Sequence, residues 1–91
     1  MNEEEYNKIL KNIDNEESYT INRGILHRVE NEKLLRVIRR YELETVMFLM
    51  HDHETAGHFG IRATYERTKE RYYWRNMYKD VEIYVKSCDR C

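Results

Sequence analysis

The chain has 91 residues, enough for one small domain, and 41% of them are hydrophobic and 36% charged. This balance is typical of a folded globular protein and excludes a disordered tail. No apolar run approaches the roughly 20 residues needed to cross a bilayer, and the N-terminus lacks a signal-peptide pattern, so we expect an intracellular protein. The net charge of −1 gives no general argument for nucleic-acid binding.

The first 41 residues predict a helix followed by short strands. Residues 3–13 place acids in the first turn and repeat Tyr6, Ile9, Leu10 and Ile13 at helical intervals. Three β-branched segments follow, separated by breaks rich in Asn, Gly and Glu, and they predict two or three strands in a hairpin-like arrangement: residues 19–21, 25–29 and 34–38. His27 lies in the second segment and is interpreted as an ordinary half-exposed side chain.

From Glu42 onward the pattern of apolar residues is helical. The inward face of a first helix carries Leu43, Val46, Met47 and Met50 and ends at His51, after which residues 54–60 form a loop with two glycines. A second helix is expected to carry Ile61, Tyr65, Thr68 and Tyr72 on one face and to close at residues 72–74. A third carries Met77, Val81, Tyr84 and Cys88. The predicted fold is therefore mainly α with a small β-hairpin unit, divided into an N-terminal extension (1–41) and a three-helix domain (42–91).

Histidines and cysteines are spaced as two half-sites of a metal centre. His51 and His58 are separated by six residues, and Cys88 and Cys91 form a CxxC pair 29 residues further on. Zinc prefers four ligands in a tetrahedron and binds thiolates and imidazoles well. A redox role for the CxxC pair is disfavoured, because Cys88 follows an amphipathic helix instead of beginning one. The spacing therefore predicts one zinc ion.

The first zinc ligand has two candidates. His51 lies four residues after Met47 and is expected to face the core at the helix end, whereas His53 falls beyond that end and would form a tighter pair with His58. Helical geometry favours His51, and His53 stays the alternative.

The stretch from about Tyr19 to Cys91 resembles the N-terminal zinc-binding region of gypsy-type LTR retrotransposon integrases and of host proteins derived from them. The resemblance is carried by a dense series of matching segments: residues 51–52, 56–60, Thr64, 72–74, Met77, 80–81, 84–85 and 88–91, with the upstream strand at 24–28. It implies that the ligands of this His-His-Cys-Cys (HHCC, or H2C2) domain fall on His51, His58, Cys88 and Cys91. Four protein ligands leave no open position, so the zinc would be structural.

Two features depart from the family pattern. Arg75 follows Trp74 where relatives usually have proline, so the break before the last helix must come from Asn76 or from packing. Relatives also continue beyond the second cysteine into a catalytic core with three metal-binding carboxylates, so we expect an excised domain or a truncated derivative that is not itself an enzyme.

The resemblance also implies partners. Residues 61–80 carry six basic residues against three acids, and residues 1–18 carry six acids against two lysines. The candidates for phosphate contact with element-end DNA are Arg62, Arg67, Lys69, Arg71 and Arg75. In the family this domain also supports subunit assembly, so a homo-oligomer and a nuclear location are expected. A host-adopted protein-interaction module that keeps the zinc fold without binding DNA is the alternative, favoured by the near-neutral net charge and the acidic N-terminus.

Overall fold

The computed structural model of the protein describes residues 1–52 and 60–87. In these ranges the fold is mixed α/β, with four α-helices and a four-stranded sheet. The helices are α1 (Glu3–Lys11), α2 (Leu43–Met47), α3 (Ile61–Lys69) and α4 (Met77–Lys86). The strands are β1 (Tyr19–Asn22), β2 (Ile25–Glu30), β3 (Lys33–Val37) and β4 (Tyr72–Tyr73). None of the described helices has the length and apolar character that crossing a bilayer requires.

The first three strands form an antiparallel meander, in agreement with the predicted hairpin-like arrangement of two or three strands. Two-residue turns join them, and both residues of each turn have positive φ: Arg23 (53°) and Gly24 (77°), then Asn31 (49°) and Glu32 (66°). Turns of this kind match the right-handed twist of paired strands, and Gly and Asn tolerate the left-handed conformation. His27 lies half-buried on β2, as predicted.

The fourth strand corrects the prediction for residues 72–74. Helix α3 ends at Lys69, and Tyr72 and Tyr73 pair in parallel with Arg36 and Val37 of β3. The prediction that residues 72–74 close the helix was therefore wrong, and Tyr72 does not continue the helical face of Ile61, Tyr65 and Thr68. The backbone at Arg71 and Tyr73 instead accepts hydrogen bonds from Arg36 N (3.0 Å) and Ile38 N (2.9 Å).

A single hydrophobic core joins the N-terminal segment to the later helices. Tyr6 of α1 and Leu26, Val37 and Ile38 of the sheet region pack in one cluster with residues from α2 onward: Val46, Met47, Met50, Trp74, Met77, Val81 and Val85. Most residues of the inward faces predicted for α2 and α4 are buried: Val46, Met47, Met50, Met77 and Val81. Leu43 and Tyr84 are partly buried, and Cys88 lies outside the described residues. Core residues come from both sides of the predicted boundary at residues 41 and 42, and the division itself stays a prediction.

Trp74 fixes the connection between β4 and α4. Its side chain is 1% exposed, and its indole Nε1–H donates to Asp80 Oδ2 (2.8 Å), so the polar atom of a buried ring is satisfied. Asn76, with φ of 65°, then turns the chain into α4. A left-handed asparagine therefore makes the break for which relatives usually use proline, because Asn adopts this conformation at low cost.

Candidate metal centre

His51 lies in a widened turn that continues α2. The α-helix ends at Met47, and residues Phe48–Asp52 form a π-helical turn. The imidazole of His51 is fully buried, at 0% exposure. The inward orientation predicted from its position four residues after Met47 is confirmed. A π-turn at the end of a helix is unusual and is frequently found at functional sites.

The His51 ring contacts both of the following helices. Its Nδ1 lies 3.2 Å from the hydroxyl Oγ1 of Thr64, in the first turns of α3. Its ring also meets the ring of Tyr84 edge-on, with centroids 5.9 Å apart and planes at 89°. Tyr84 belongs to the last turn of α4. His51 therefore lies where α2, α3 and α4 converge.

The contact with Thr64 suits a metal-binding histidine. When the Thr64 hydroxyl oxygen accepts a hydrogen bond from Nδ1–H, the lone pair of the neutral imidazole is on Nε2. Metal-ligating histidines characteristically donate their other ring N–H to an oxygen in this way, which fixes the tautomer and the ring orientation. In that tautomer, the Thr64 oxygen at Nδ1 leaves Nε2 of His51 available to a metal ion.

A second threonine on α3 supports Thr64. Thr68 is also fully buried, and its Oγ1 donates to the Thr64 carbonyl oxygen (2.7 Å). The Thr64 N–H donates to the Gly60 carbonyl (2.9 Å) at the start of the helix. The main chain of Thr64 is thus held from both sides, and its hydroxyl is presented to His51 from a rigid element.

The remaining proposed ligands, His58, Cys88 and Cys91, lie outside the described residues, as does the alternative His53. Within residues 1–52 and 60–87, no three metal-ligating side chains lie together. The grouping of the four ligands, and the choice between His51 and His53, therefore stay predictions.

The basic residues predicted to contact DNA lie on α3 and around β4. Arg62, Lys69, Arg71 and Arg75 are exposed, whereas Arg67 is half-buried. Lys69 and Arg75 are paired with acids. Lys69 Nζ lies 3.1 Å from Glu66 Oε2, and this hydrogen bond raises the pKa of Lys69 above its ordinary value. Arg75 Nε lies 2.6 Å from Glu5 Oε2 of α1.

Sequence reasoning assigned no role to Thr64. The sequence pattern that could have pointed to Thr64 is a pair of threonines, Thr64 and Thr68, four residues apart on one helix. The other inward positions of that helix are Ile61 and Tyr65. Hydroxyl groups buried at helical spacing need partners, so such a pair indicates a polar group on the facing element.

Removing the Thr64 hydroxyl is expected to weaken zinc binding without unfolding the chain. Thr64→Val keeps the shape of the side chain but leaves Nδ1 of His51 without this oxygen, so zinc affinity should fall about 10-fold to 100-fold. Thr68→Val is the matched comparison: it removes an equally buried hydroxyl from the same helix that reaches Thr64 only through the backbone carbonyl, so its effect on zinc affinity should be smaller. Competition with a chromophoric chelator measures both affinities. Equal affinities for the two variants would show that Thr64 does not orient a ligand.

Comparison with known proteins places the chain in a family. The integrase zinc binding domain family matches residues 38–91, more than half of the chain. The protein therefore belongs to the integrase zinc-binding (H2C2) family. That family is the zinc-binding module of integrases and not their catalytic core.

A relative supports the same assignment. The chain is 34% identical over 83 residues to the retrovirus-related Pol polyprotein from transposon 412 of Drosophila melanogaster. The match covers 90% of this chain but only 6% of the polyprotein. At 83 residues it extends upstream of the family match, so the strands of the N-terminal segment are also similar to a retrotransposon sequence.

Proposed function

We propose that the chain is the structural zinc module of a retrotransposon-type integrase, in which His51, His58, Cys88 and Cys91 hold one zinc ion. The observation that carries the proposal is the buried His51 imidazole, whose Nδ1 faces the Thr64 hydroxyl at 3.2 Å. With four protein ligands the zinc would act as a cross-link between helices, leaving no position for a water or a substrate.

The chain positions of the other ligands support this set. His58 lies two residues before Gly60, which begins α3, and Cys88 directly follows Ser87 at the end of α4. One residue spans at most about 3.6 Å, so each of these ligands is tethered close to a helix that His51 contacts. The zinc content of the purified chain, measured by elemental analysis, tests the proposal. One ion per chain is expected, and a folded chain without zinc would contradict it.

For this module we also propose binding to element-end DNA, which would place the protein in the nucleus. Arg62 and Arg71 support a contact with phosphates, since both are exposed and neither has an acidic partner in the described part of the chain. Binding through such residues depends on salt and tolerates many sequences.

Electrophoretic mobility shift of a duplex at several salt concentrations tests DNA binding. Affinity should fall steeply with salt, and Arg71→Ala should reduce the slope of log affinity against log salt by about 0.9, the effect of one phosphate contact. Lys11→Ala, which removes one exposed charge from the end of α1, is the control and should leave the slope unchanged. Absence of binding at low salt would reject this function while leaving the zinc module intact.

Self-association is a linked proposal, supported by apolar side chains that the described core leaves exposed. Ile83 of α4 is 53% exposed, and Phe48 and Leu49 of the π-helical turn are 50% and 39% exposed. Contact with a second copy would remove these apolar side chains from water.

A host-adopted protein-interaction module without DNA binding is the second candidate. The observation that favours it is the pairing of acidic α1 with cations: Glu3 accepts from Arg39, and Glu5 lies against Arg75. The hydrogen bonds from Arg39 hold the pKa of the Glu3 carboxyl below its ordinary value. These contacts neutralise the positive charge of Arg39 and Arg75, with which a phosphate could otherwise pair. No shift of DNA at low salt would support this candidate.

A further inference from the structure

A surface groove of about 570 Å³ lies away from His51, between the β2–β3 turn, the end of α3 and the segment that runs from β4 into α4. Residues from three separate parts of the chain line the groove, and Lys33, Lys69 and Tyr78 are one from each part. Pockets that hold small ligands commonly have volumes of roughly 300–1,000 Å³, so the groove has room for one or two nucleotides.

Tyrosine rings dominate the groove. Tyr65 and Tyr78 meet edge to face, with centroids 5.0 Å apart and planes at 75°, and residues Tyr72 and Tyr73 also line the groove. Tyr78 is 49% exposed although its ring is braced by Tyr65. A ring that is held in place and still open on one side is the platform on which an unpaired base stacks.

Cations surround these rings, but acids are present as well. Lys33, Lys69 and Arg75 line the groove together with Glu30 and Glu70. The Lys69 ammonium also lies 5.3 Å from the centre of the Tyr65 ring. Lys69 and Arg75 are already paired with Glu66 and Glu5, so Lys33 is the lining cation that has no acidic partner in the described part of the chain. One such cation would not retain an acidic peptide by charge alone. The partner must therefore present a flat aromatic group to the rings and a negative group to Lys33.

We propose that this groove binds a short single-stranded segment of nucleic acid, with one base stacked on Tyr78 and a flanking phosphate near Lys33. An unpaired strand is required because the faces of a base inside a duplex are already covered by its neighbours. The proposal rests on the proposed nucleic-acid function and extends it, assigning Lys33 and Tyr78 to binding and separating an unpaired-strand site from duplex contacts.

Fluorescence anisotropy of the zinc-loaded 91-residue chain tests the groove with two labelled probes: an oligothymidine and a duplex of the same length. Tyr78→Ala should weaken binding of the oligothymidine about 5-fold to 100-fold, the range that loss of one stacked base produces. Tyr41→Ala removes another exposed tyrosine that does not line the groove and should have no effect. Tyr78→Phe keeps the ring and should bind like the wild type, and Lys33→Ala should lower the salt slope for the single strand by about 0.7.

The two probes separate this proposal from the proposed function. Duplex binding that depends on Arg71, with single-strand affinity unchanged in Tyr78→Ala, would overturn the groove and leave the proposed function standing. Single-strand binding lost in Tyr78→Ala, without any duplex binding, would support the groove and reject the duplex contact. Displacement of the oligothymidine by an equal concentration of a polyglutamate peptide would overturn the groove, because charge alone would then explain binding. Circular dichroism confirms that each variant is folded.

Discussion

Removal of zinc is expected to unfold most of the chain. Structural zinc contributes roughly 10–16 kcal/mol to small domains, whereas the whole net stability of a domain is about 5–15 kcal/mol. The core residues of α2 and α4 pack in one cluster with the sheet. Loss of the zinc cross-link should therefore destabilise the whole core and not only the part near His51. Thermal unfolding followed by circular dichroism, before and after chelation, measures the effect. Adding zinc back should restore the original transition.

Substitutions of the candidate ligands identify which histidine binds. His51→Ala and Cys88→Ala should each lose the zinc ion, whereas His53→Ala should keep one zinc per chain. His27→Ala is the matched control, because His27 is a half-buried histidine on β2 whose Nδ1 contacts the Ile25 carbonyl oxygen at 2.8 Å. Zinc retained in His51→Ala and lost in His53→Ala would reverse the assignment. His51→Ala also opens a cavity in the core, so zinc content is the decisive measurement and stability the secondary one.

The local elements of the fold could be predicted because their signals are local. The period of Tyr6, Ile9 and Leu10 predicts α1, and the breaks at 22–24 and 30–32 predict the separation of β1, β2 and β3, which two-residue turns make in the structure. Strand β4 could not be predicted, since two residues cannot show alternation. Its extended conformation depends on pairing with β3, more than 30 residues earlier in the chain.

The candidate site was predictable in part for the same physical reason. The burial of His51 follows from its helical distance to Met47, a relation within one element. The partnership of His51 with Thr64 and Tyr84 depends on how three helices pack, which periodicity does not determine. The groove was missed because Lys33, Tyr65 and Tyr78 come from three parts of the chain and share no spacing.

Trp74→Ala is expected to cost about 3–5 kcal/mol of unfolding free energy, the loss typical of truncating a large buried aromatic residue. The ring is 1% exposed in the cluster that joins the sheet to α4, and its Nε1–H donates to Asp80.

Variants of Asp80 separate the contribution of the hydrogen bond from that of the cavity left by the ring. Asp80→Ala should cost about 1.5–3 kcal/mol, because it removes a charged acceptor, while Asp80→Asn keeps an oxygen acceptor and should cost less. Tyr41→Ala, at an exposed ring, should stay within about 0.5 kcal/mol of the wild type. Urea denaturation of the zinc-loaded chain measures all four variants, and a loss for Trp74→Ala no larger than that for Asp80→Ala would show that the ring contributes through its hydrogen bond and not through its packing.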